Sequence, residues 1–340
     1  MQMSRRRMLT LSLGGGVLLS AGVGTLSSMR QPSRQPGLVE VTRKGRGLGT
    51  DLSLTVIARS TSAGEQAIDA AFAEIETVEQ VMSLYRPDSQ ICQLNRSRLL
   101  KNPHPYLREV LATAASISSL SEGAFDITVQ PLWNVYAECQ MAASKPSQEI
   151  VDAARRSIGW QSVELKKDCV RLNQPVEAIT LNGIAQGFAT DRAIAALRQA
   201  GIQQALINVG ELGSLGGKAD EKPWVAGIQH PRQPDAYAEV IALDGRCLAT
   251  SGDYATTFSA DFSRNHIFDP RTGDSPRELA SVSIVAPNGM LADGLSTAAM
   301  VLGAEQTLAL VERIPDVDAL LILKSGKTLQ SAGFPKSAVL

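Results

Sequence analysis

Histidine is scarce, with three residues in a chain of 340. That argues against a zinc centre built on imidazoles. The four cysteines, Cys92, Cys139, Cys169 and Cys247, are scattered and form no Cys-x-x-Cys pair. They read as buried thiols rather than a disulfide framework or a thiolate cage. Charge of one sign is not in excess either: 33 Lys and Arg stand against 34 Asp and Glu, for a net charge of -1. No basic stripe with interleaved aromatics runs along the chain, which excludes a nucleic-acid surface. Internal repeats and low-complexity tracts are missing. What is present is enough apolar sequence for a substantial core, 44% against 20% charged, in one large domain or two small ones.

The first 30 residues carry their own pattern. Arg5, Arg6 and Arg7 form a basic start, and no charge follows until Arg30. The run between them is apolar but diluted by glycine, as in a signal segment rather than a packed helix. The order Ser4-Arg5-Arg6-Arg7-Met8-Leu9 resembles a twin-arginine export signal, a receptor-read address. An ordinary secretory signal and a membrane tether through the N-terminus are the alternatives. No cysteine lies near the end of the run to carry a lipid. Residues 1–30 are therefore assigned as signal or anchor, 31–38 (QPSRQPGL) as a linker, and 39–340 as one folded domain in the periplasm.

Within that domain, residues 51–58 alternate as a strand. Residues 63–85 place apolar side chains at helical spacing. Further helices are expected at 106–121, 147–157, 187–200 and 292–303. Strands are expected at 162–165, 177–181, 204–209, 224–229, 238–243, 281–287 and 318–323, with a closing hairpin after the last. Residues 249–279 read as loop. Helices and strands mix without regular βαβ alternation, which predicts an α+β fold.

Four segments gather residues that could carry chemistry. In 121-SEGAFDITVQPLW-133, Asp126 needs a hydrogen-bond partner or a ligand if it is buried; the plainer reading is a helix C-cap followed by a strand. In 180-TLNGIAQGFATDRA-193, a strand ends at Asn182-Gly183 and a helix begins near Gly187. Backbone groups at such a junction can bind ions, although no Gly-Lys-Ser/Thr follows to make a P-loop. In 249-ATSGDYATTF-258 and 264-RNHIFDPRTG-273, polar residues crowd around a Pro–Gly turn, with His266 three residues before Asp269; a histidine that merely caps backbone is the alternative. In 290-MLADGLSTAAMVLG-303, Asp293 and Thr297 share one helix face, with Ser296 beside them. A carboxylate and a hydroxyl suit a hard cation such as Mg²⁺. An N-cap role for Asp293 is equally open on spacing alone.

Taken in order, 48-LGT-50, 82-MSLYRPDSQICQLN-95, 123-GAFDITVQPL-132, 182-NGIAQGFATD-191, 205-ALINVG-210, 250-TSGDY-254, 266-HIFDPRTG-273 and 292-ADGLSTAAMVLG-303 resemble the ApbE family of FAD:protein FMN transferases. The resemblance spans about residues 40–330. The signal narrows it toward the twin-arginine-exported type associated with nitrous-oxide reductase maturation. It implies a T-fold-like ApbE domain with mixed helices and a mostly antiparallel sheet. It implies that FAD and Mg²⁺ are bound, and that FMN moves onto a threonine or serine of a target flavoprotein subunit of a membrane redox complex, with release of AMP.

Carried over position by position, the resemblance makes Asp293, Thr297 and the Gly183 carbonyl metal ligands, with Ser296 a third side-chain contact. It makes Leu48, Met82, Ser83, Leu84, Ala124, Phe125, Asp126 and Ile267 contacts to FAD. It also gives Ala292, Gly294, Ala298 and Ala299 a purpose, namely to let the helix start approach the phosphates and the Gly183 loop. Three positions depart from the family. Thr180 stands where an aspartate is usual, Gln186 where a lysine is usual, both at FAD-contacting sites, and Gly210-Glu211 where Gly-Gly is usual.

Cleaving a pyrophosphate requires charge neutralisation, which a Mg²⁺ ion supplies as a Lewis acid; Mn²⁺ is not distinguished from it by sequence. The target hydroxyl also needs a proton acceptor. His266 or Asp293 could serve, and His266 is favoured because its unperturbed pKa lies near neutrality. The departures at Thr180 and Gln186 keep two other readings in view: a FAD-binding protein without transfer activity, and a metal-dependent FAD pyrophosphatase.

Overall fold

The structure, a computed structural model, describes residues 37–338. The N-terminal signal or anchor and linker residues 31–36 lie outside the described residues. In chain order the elements are β1 (Val39–Gly47), β2 (Thr50–Ala58), α1 (Thr61–Met82), α2 (Gln90–Ser97), β3 (Leu99–Lys101), α3 (Pro105–Leu120), α4 (Gln130–Met141) and α5 (Gln148–Arg155). They continue with β4 (Val163–Leu165), β5 (Cys169–Leu172), α6 (Ala185–Gln199), β6 (Gln204–Asn208), β7 (Leu212–Leu215), β8 (Val225–His230), β9 (Gln233–Ala242) and β10 (Cys247–Gly252). The last are β11 (Leu279–Ala286), α7 (Gly289–Leu302), α8 (Ala304–Val311), β12 (Asp318–Leu323) and β13 (Thr328–Gln330).

One eight-stranded antiparallel sheet, β1-β2-β6-β7-β10-β11-β12-β13, forms the frame. Side-chain alternation gives it two apolar faces. Leu52, Leu54 and Val56 of β2 and Val282 and Ile284 of β11 enter the main core beneath the helices. Their out-of-phase neighbours Ile57 and Val285 enter a second core covered by the β8–β9 hairpin, with Trp224, Ala226, Ile228 and Ile241. A small sheet, β3-β5-β4, stands apart. This is the α+β, mostly antiparallel architecture expected from the sequence.

Helix α7 runs through the centre, against α6, α3, β10 and β11. It is buried almost all round, which explains its lack of a polar face. Gly294 does not face the Gly183 loop as expected. A Cβ there would lie 2.4 Å from the Ile117 side chain of α3, so this glycine serves helix–helix packing, and Ala292, Ala298 and Ala299 sit in the main core.

Other local expectations also change. Residues 177–181 form no strand. Their backbone finds partners outside any ladder: Asn95 Nδ2 donates to the Ile179 carbonyl and Asn95 Oδ1 accepts the Ile179 N–H, both at 2.9 Å, and the Thr180 N–H donates to the Ile127 carbonyl at 2.7 Å. The stretch after Gly123 forms no strand either; turns lead into α4. Of the four cysteines, all free, only Cys247 is fully buried. β10 forms inside the region read as loop, so the loop proper begins at Asp253.

Candidate active site

Two helix N-termini cross at the centre of the site. Gly187 in the first turn of α6 and Gly289 at the start of α7 meet so closely that a Cβ on Gly187 would lie 2.1 Å from the Gly289 carbonyl oxygen. Only glycine permits this backbone-to-backbone approach. Each helix then caps the other. α6 has no side-chain cap of its own, and its Gly187 N–H donates to Asp293 Oδ2 of α7 at 2.9 Å. In return Asp191 of α6 accepts from the Gly289 and Met290 N–H groups, at 2.6 and 2.9 Å. Asp293 is therefore not the cap of its own helix; Asn288 is, accepting the Leu291 N–H at 2.8 Å.

A carbonyl beside this crossing is also left without a donor. Gly187 is the third residue of α6, so its N–H is one of those a helix start leaves without an intrahelical acceptor. Here it is turned to Asp293, and among the described residues no donor reaches the Gly183 oxygen. Gly183 presses on Thr297, where a Cβ would come within 2.8 Å of Thr297 Oγ1. Asp293 Oδ1 likewise has no hydrogen-bond partner among the described residues, and Thr297 Oγ1 has only a long contact to Ser251 Oγ at 3.3 Å. A carboxylate, a hydroxyl and a carbonyl oxygen thus converge with capacity to spare. They fit a hard divalent cation, which accepts few protein oxygens and completes its shell with water or phosphate. No group of three His, Cys, Asp or Glu side chains gathers as a metal cage among the described residues. Ser296 sits behind this wall, fully buried, donating to the Asp293 carbonyl at 2.9 Å and bonded to Ser251 Oγ at 2.7 Å. Ser251, rather than Ser296, lines the cleft here.

The cleft has two adjoining chambers. The first is lined by Ala124, Phe125, Asp126, Thr180, Gln186 and Ile267, together with Gly183, Asp293 and Thr297. The second is lined by Leu48, Met82, Ser83 and Leu84. Trp133, Asn182, Gln186, Ala255 and His266 line both. Apart from Ser296, every side chain expected at the site from the sequence is therefore at the cleft.

Leu48 is held under strain. It occupies the β1–β2 turn with φ +50°, a left-handed conformation unusual for a branched apolar residue. Its carbonyl accepts from Gln186 Nε2 at 3.3 Å. Gln186 thus bridges the hairpin to α6, with its amide packed on Gly210. Thr180 Oγ1 accepts the Asn182 N–H at 3.2 Å.

Burial sets the electrostatics. The Asp293 carboxyl is pushed up to about 7 by desolvation, against the Gly187 hydrogen bond, with repulsion from Asp191 adding to the rise. Asp191 rises to about 6 by desolvation, against its two backbone donors. Asp126 is raised by burial, although Thr128 N, Thr128 Oγ1 and the Trp160 N–H all donate to it, at 2.7, 2.6 and 3.2 Å. His266 is lowered by desolvation. Its Nδ1 lies 3.2 Å from the Thr256 carbonyl. That carbonyl can only accept, which places the proton on Nδ1 and leaves Nε2 as a base. The histidine caps backbone and still faces the cleft.

The sequence reading did not place Glu211, Trp133, Asn182 or Tyr254 at the site. Glu211 was visible as a departure from the usual Gly-Gly, and Tyr254 follows the flagged Ser251-Gly252-Asp253 run. Asp253 itself is fully buried, in a bidentate pair with Arg232 at 2.7 and 2.8 Å and with Lys324 Nζ at 3.4 Å.

Fold and cleft together define a class: an α+β protein whose polar cleft opens where two mutually capped helix N-termini meet an antiparallel sheet. The chain belongs to the ApbE family, whose sequence model matches residues 48–321. Among curated proteins it is 27% identical to the FAD:protein FMN transferase of Escherichia coli (strain K12) over 314 residues, 88% of this chain and 89% of that one. Among solved structures, the ApbE protein of Thermotoga maritima aligns with a TM-score of 0.78 at 26% identity, covering 87% of this chain and 98% of that one. The apo form of Pseudomonas stutzeri flavinyl transferase ApbE aligns with a TM-score of 0.76 at 31% identity, covering 87% and 96%.

Proposed function

We propose that the chain is an exported FAD:protein FMN transferase, dependent on a divalent cation, Mg²⁺ by preference, that moves FMN from FAD to a threonine or serine of a periplasmic redox-complex subunit and releases AMP. The observation that carries this reading is the convergence of the Asp293 carboxylate, the Thr297 hydroxyl and the free Gly183 carbonyl beside a two-chambered cleft that no lysine or arginine among the described residues lines. A dinucleotide has two halves joined by a pyrophosphate, and the cleft has two chambers joined at Asn182, Gln186 and His266. With no cationic side chain at hand, the phosphates require a metal, which when bound neutralises and polarises them.

The protein's own residues supply the rest. Asp293, Thr297 and the Gly183 carbonyl would hold the cation. The target hydroxyl oxygen forms the new bond to the FMN phosphorus, the pyrophosphate P–O bond breaks, and AMP carries away the electron pair. His266 Nε2 accepts the hydroxyl proton; with its pKa lowered, the ring is neutral and basic at pH 7. Leu48 and the 82–84 segment wall off the second chamber. The twin-arginine-like N-terminus is the basis for assigning the periplasm.

Incubating the purified protein with FAD, Mg²⁺ and a candidate target domain separates this reading from its alternatives. A fluorescent covalent band on the target supports transfer. Free FMN and AMP without a labelled band point to a pyrophosphatase, and a yellow protein with neither product points to binding alone.

A further inference from the structure

Glu211 stands in the β6–β7 turn, where β7 and β10 part. Those two strands are in register only at Leu248 and Leu212. Beyond that point the Thr250 N–H of β10 finds no strand carbonyl and donates to Glu211 Oε2, at 3.1 Å. The Glu211 backbone is held as well. Its carbonyl accepts from Thr190 Oγ1 at 3.3 Å and from the Val209 N–H at 3.0 Å. The side chain is 8% exposed, and it lines the first chamber with Asp293 and Thr297. Its second oxygen, Oε1, has no hydrogen-bond partner among the described residues.

A carboxylate so buried needs a partner or a proton. No ion pair to Glu211 forms among the described residues, and the neighbouring carboxylate Asp293 lines the same chamber. The residue next to its backbone donor is Ser251, whose hydroxyl reaches Thr297 Oγ1 at 3.3 Å. Glu211 is thus fastened to the strand that also touches the proposed cation ligands. Of the three buried carboxylates that line the first chamber, Asp293 and Glu211 each keep one oxygen without a partner among the described residues, and no lysine or arginine lines the cleft there.

We propose that Glu211 is a second carboxylate of the cation site, acting with Asp293 directly or through a metal-bound water. This rests on the cation reading given above. It goes further in one respect: the protein binds the divalent cation tightly before any nucleotide enters, because the protein alone presents two carboxyl groups to it, which give up their protons as the cation binds.

The test is Mn²⁺ binding to the apoprotein, followed by paramagnetic resonance without FAD. Glu211→Gln keeps an acceptor for the Thr250 N–H and removes only the charge. It is expected to weaken Mn²⁺ binding by about 10- to 100-fold, the range seen for supporting groups at metal sites. Asp69→Asn, at an exposed carboxylate of α1 paired with Arg43 and away from the cleft, is expected to leave it unchanged. Wild-type affinity in Glu211→Gln would overturn the proposal while leaving the transferase reading intact. Absence of Mn²⁺ binding by the wild type, or undiminished binding by Asp293→Asn, would overturn the cation reading and this proposal with it. If Glu211→Gln does not fold, Glu211→Ala is judged by the same loss of affinity.

Discussion

The Asp293 carboxylate of α7 accepts the Gly187 N–H of α6 at 2.9 Å and so caps a helix that has no side-chain cap of its own. The Gly183 carbonyl, just ahead of that helix, has no donor among the described residues. Spacing alone set an N-cap of its own helix against a cation ligand as rival roles for Asp293; the structure gives that cap to Asn288 and leaves Asp293 to cap the neighbouring helix. One oxygen caps the neighbouring helix and the other faces the cleft.

The crossing of α6 and α7 leaves no room for a side chain. Gly187→Ala would set its Cβ 2.1 Å from the Gly289 carbonyl oxygen and 2.7 Å from the Asp293 Cβ. Backbone cannot yield as a flexible side chain can, so a loss of about 3 kcal/mol or more is expected. Urea unfolding followed by circular dichroism measures it. A midpoint equal to wild type would mean that the helices can separate at no cost.

His266 should govern the pH dependence of transfer. Burial lowers its pKa below the usual 6.5, so the basic form predominates at neutral pH. The rate should rise with pH through a midpoint below 6.5 and then level. His266→Ala should lose about 10²- to 10⁴-fold in rate with FAD still bound, and the acid limb of the profile should disappear. Full activity in that variant, with FAD bound, would remove His266 from the mechanism.

Metal-free protein should grow less stable as pH rises. The Asp191 and Asp293 carboxyls titrate at about 6 and 7 in the folded state, above the ordinary value near 3.9 in an unfolded chain. Between these values the folded protein binds more protons than the unfolded one. The stability they contribute is fully present below about pH 4 and is lost as pH rises through 6 and 7. For Asp191 alone the change is roughly 3 kcal/mol. Thermal melts in EDTA from pH 5 to 8 should show the decline, and added Mg²⁺ should flatten it by favouring ionised Asp293.

Much of the frame was legible because it is periodic. The strand expected at 318–323 is β12 to the residue, and the helix expected at 63–85 is α1 at Thr61–Met82. Residues 177–181 misled because Ile179 bonds its backbone to the Asn95 side chain, 84 positions away, and Thr180 donates to the Ile127 carbonyl, and no local pattern reports that. The cap of α6 was invisible for the same reason, since Asp293 lies 106 residues from Gly187. The site residues were found as ordered short segments. Their chemistry, and the burial of Glu211 among them, becomes visible only when the β6–β7 turn, β10 and the two helix starts are brought together.

The central claim is that this cleft, through Asp293 and a divalent cation, joins FMN to another protein. The most direct measurement is the intact mass of a candidate target domain after incubation with FAD and Mg²⁺. Wild-type protein should add one FMN to the target. EDTA or Asp293→Asn should abolish the addition while the variant remains folded. An equal mass gain with EDTA, or with Asp293→Asn, would contradict the account.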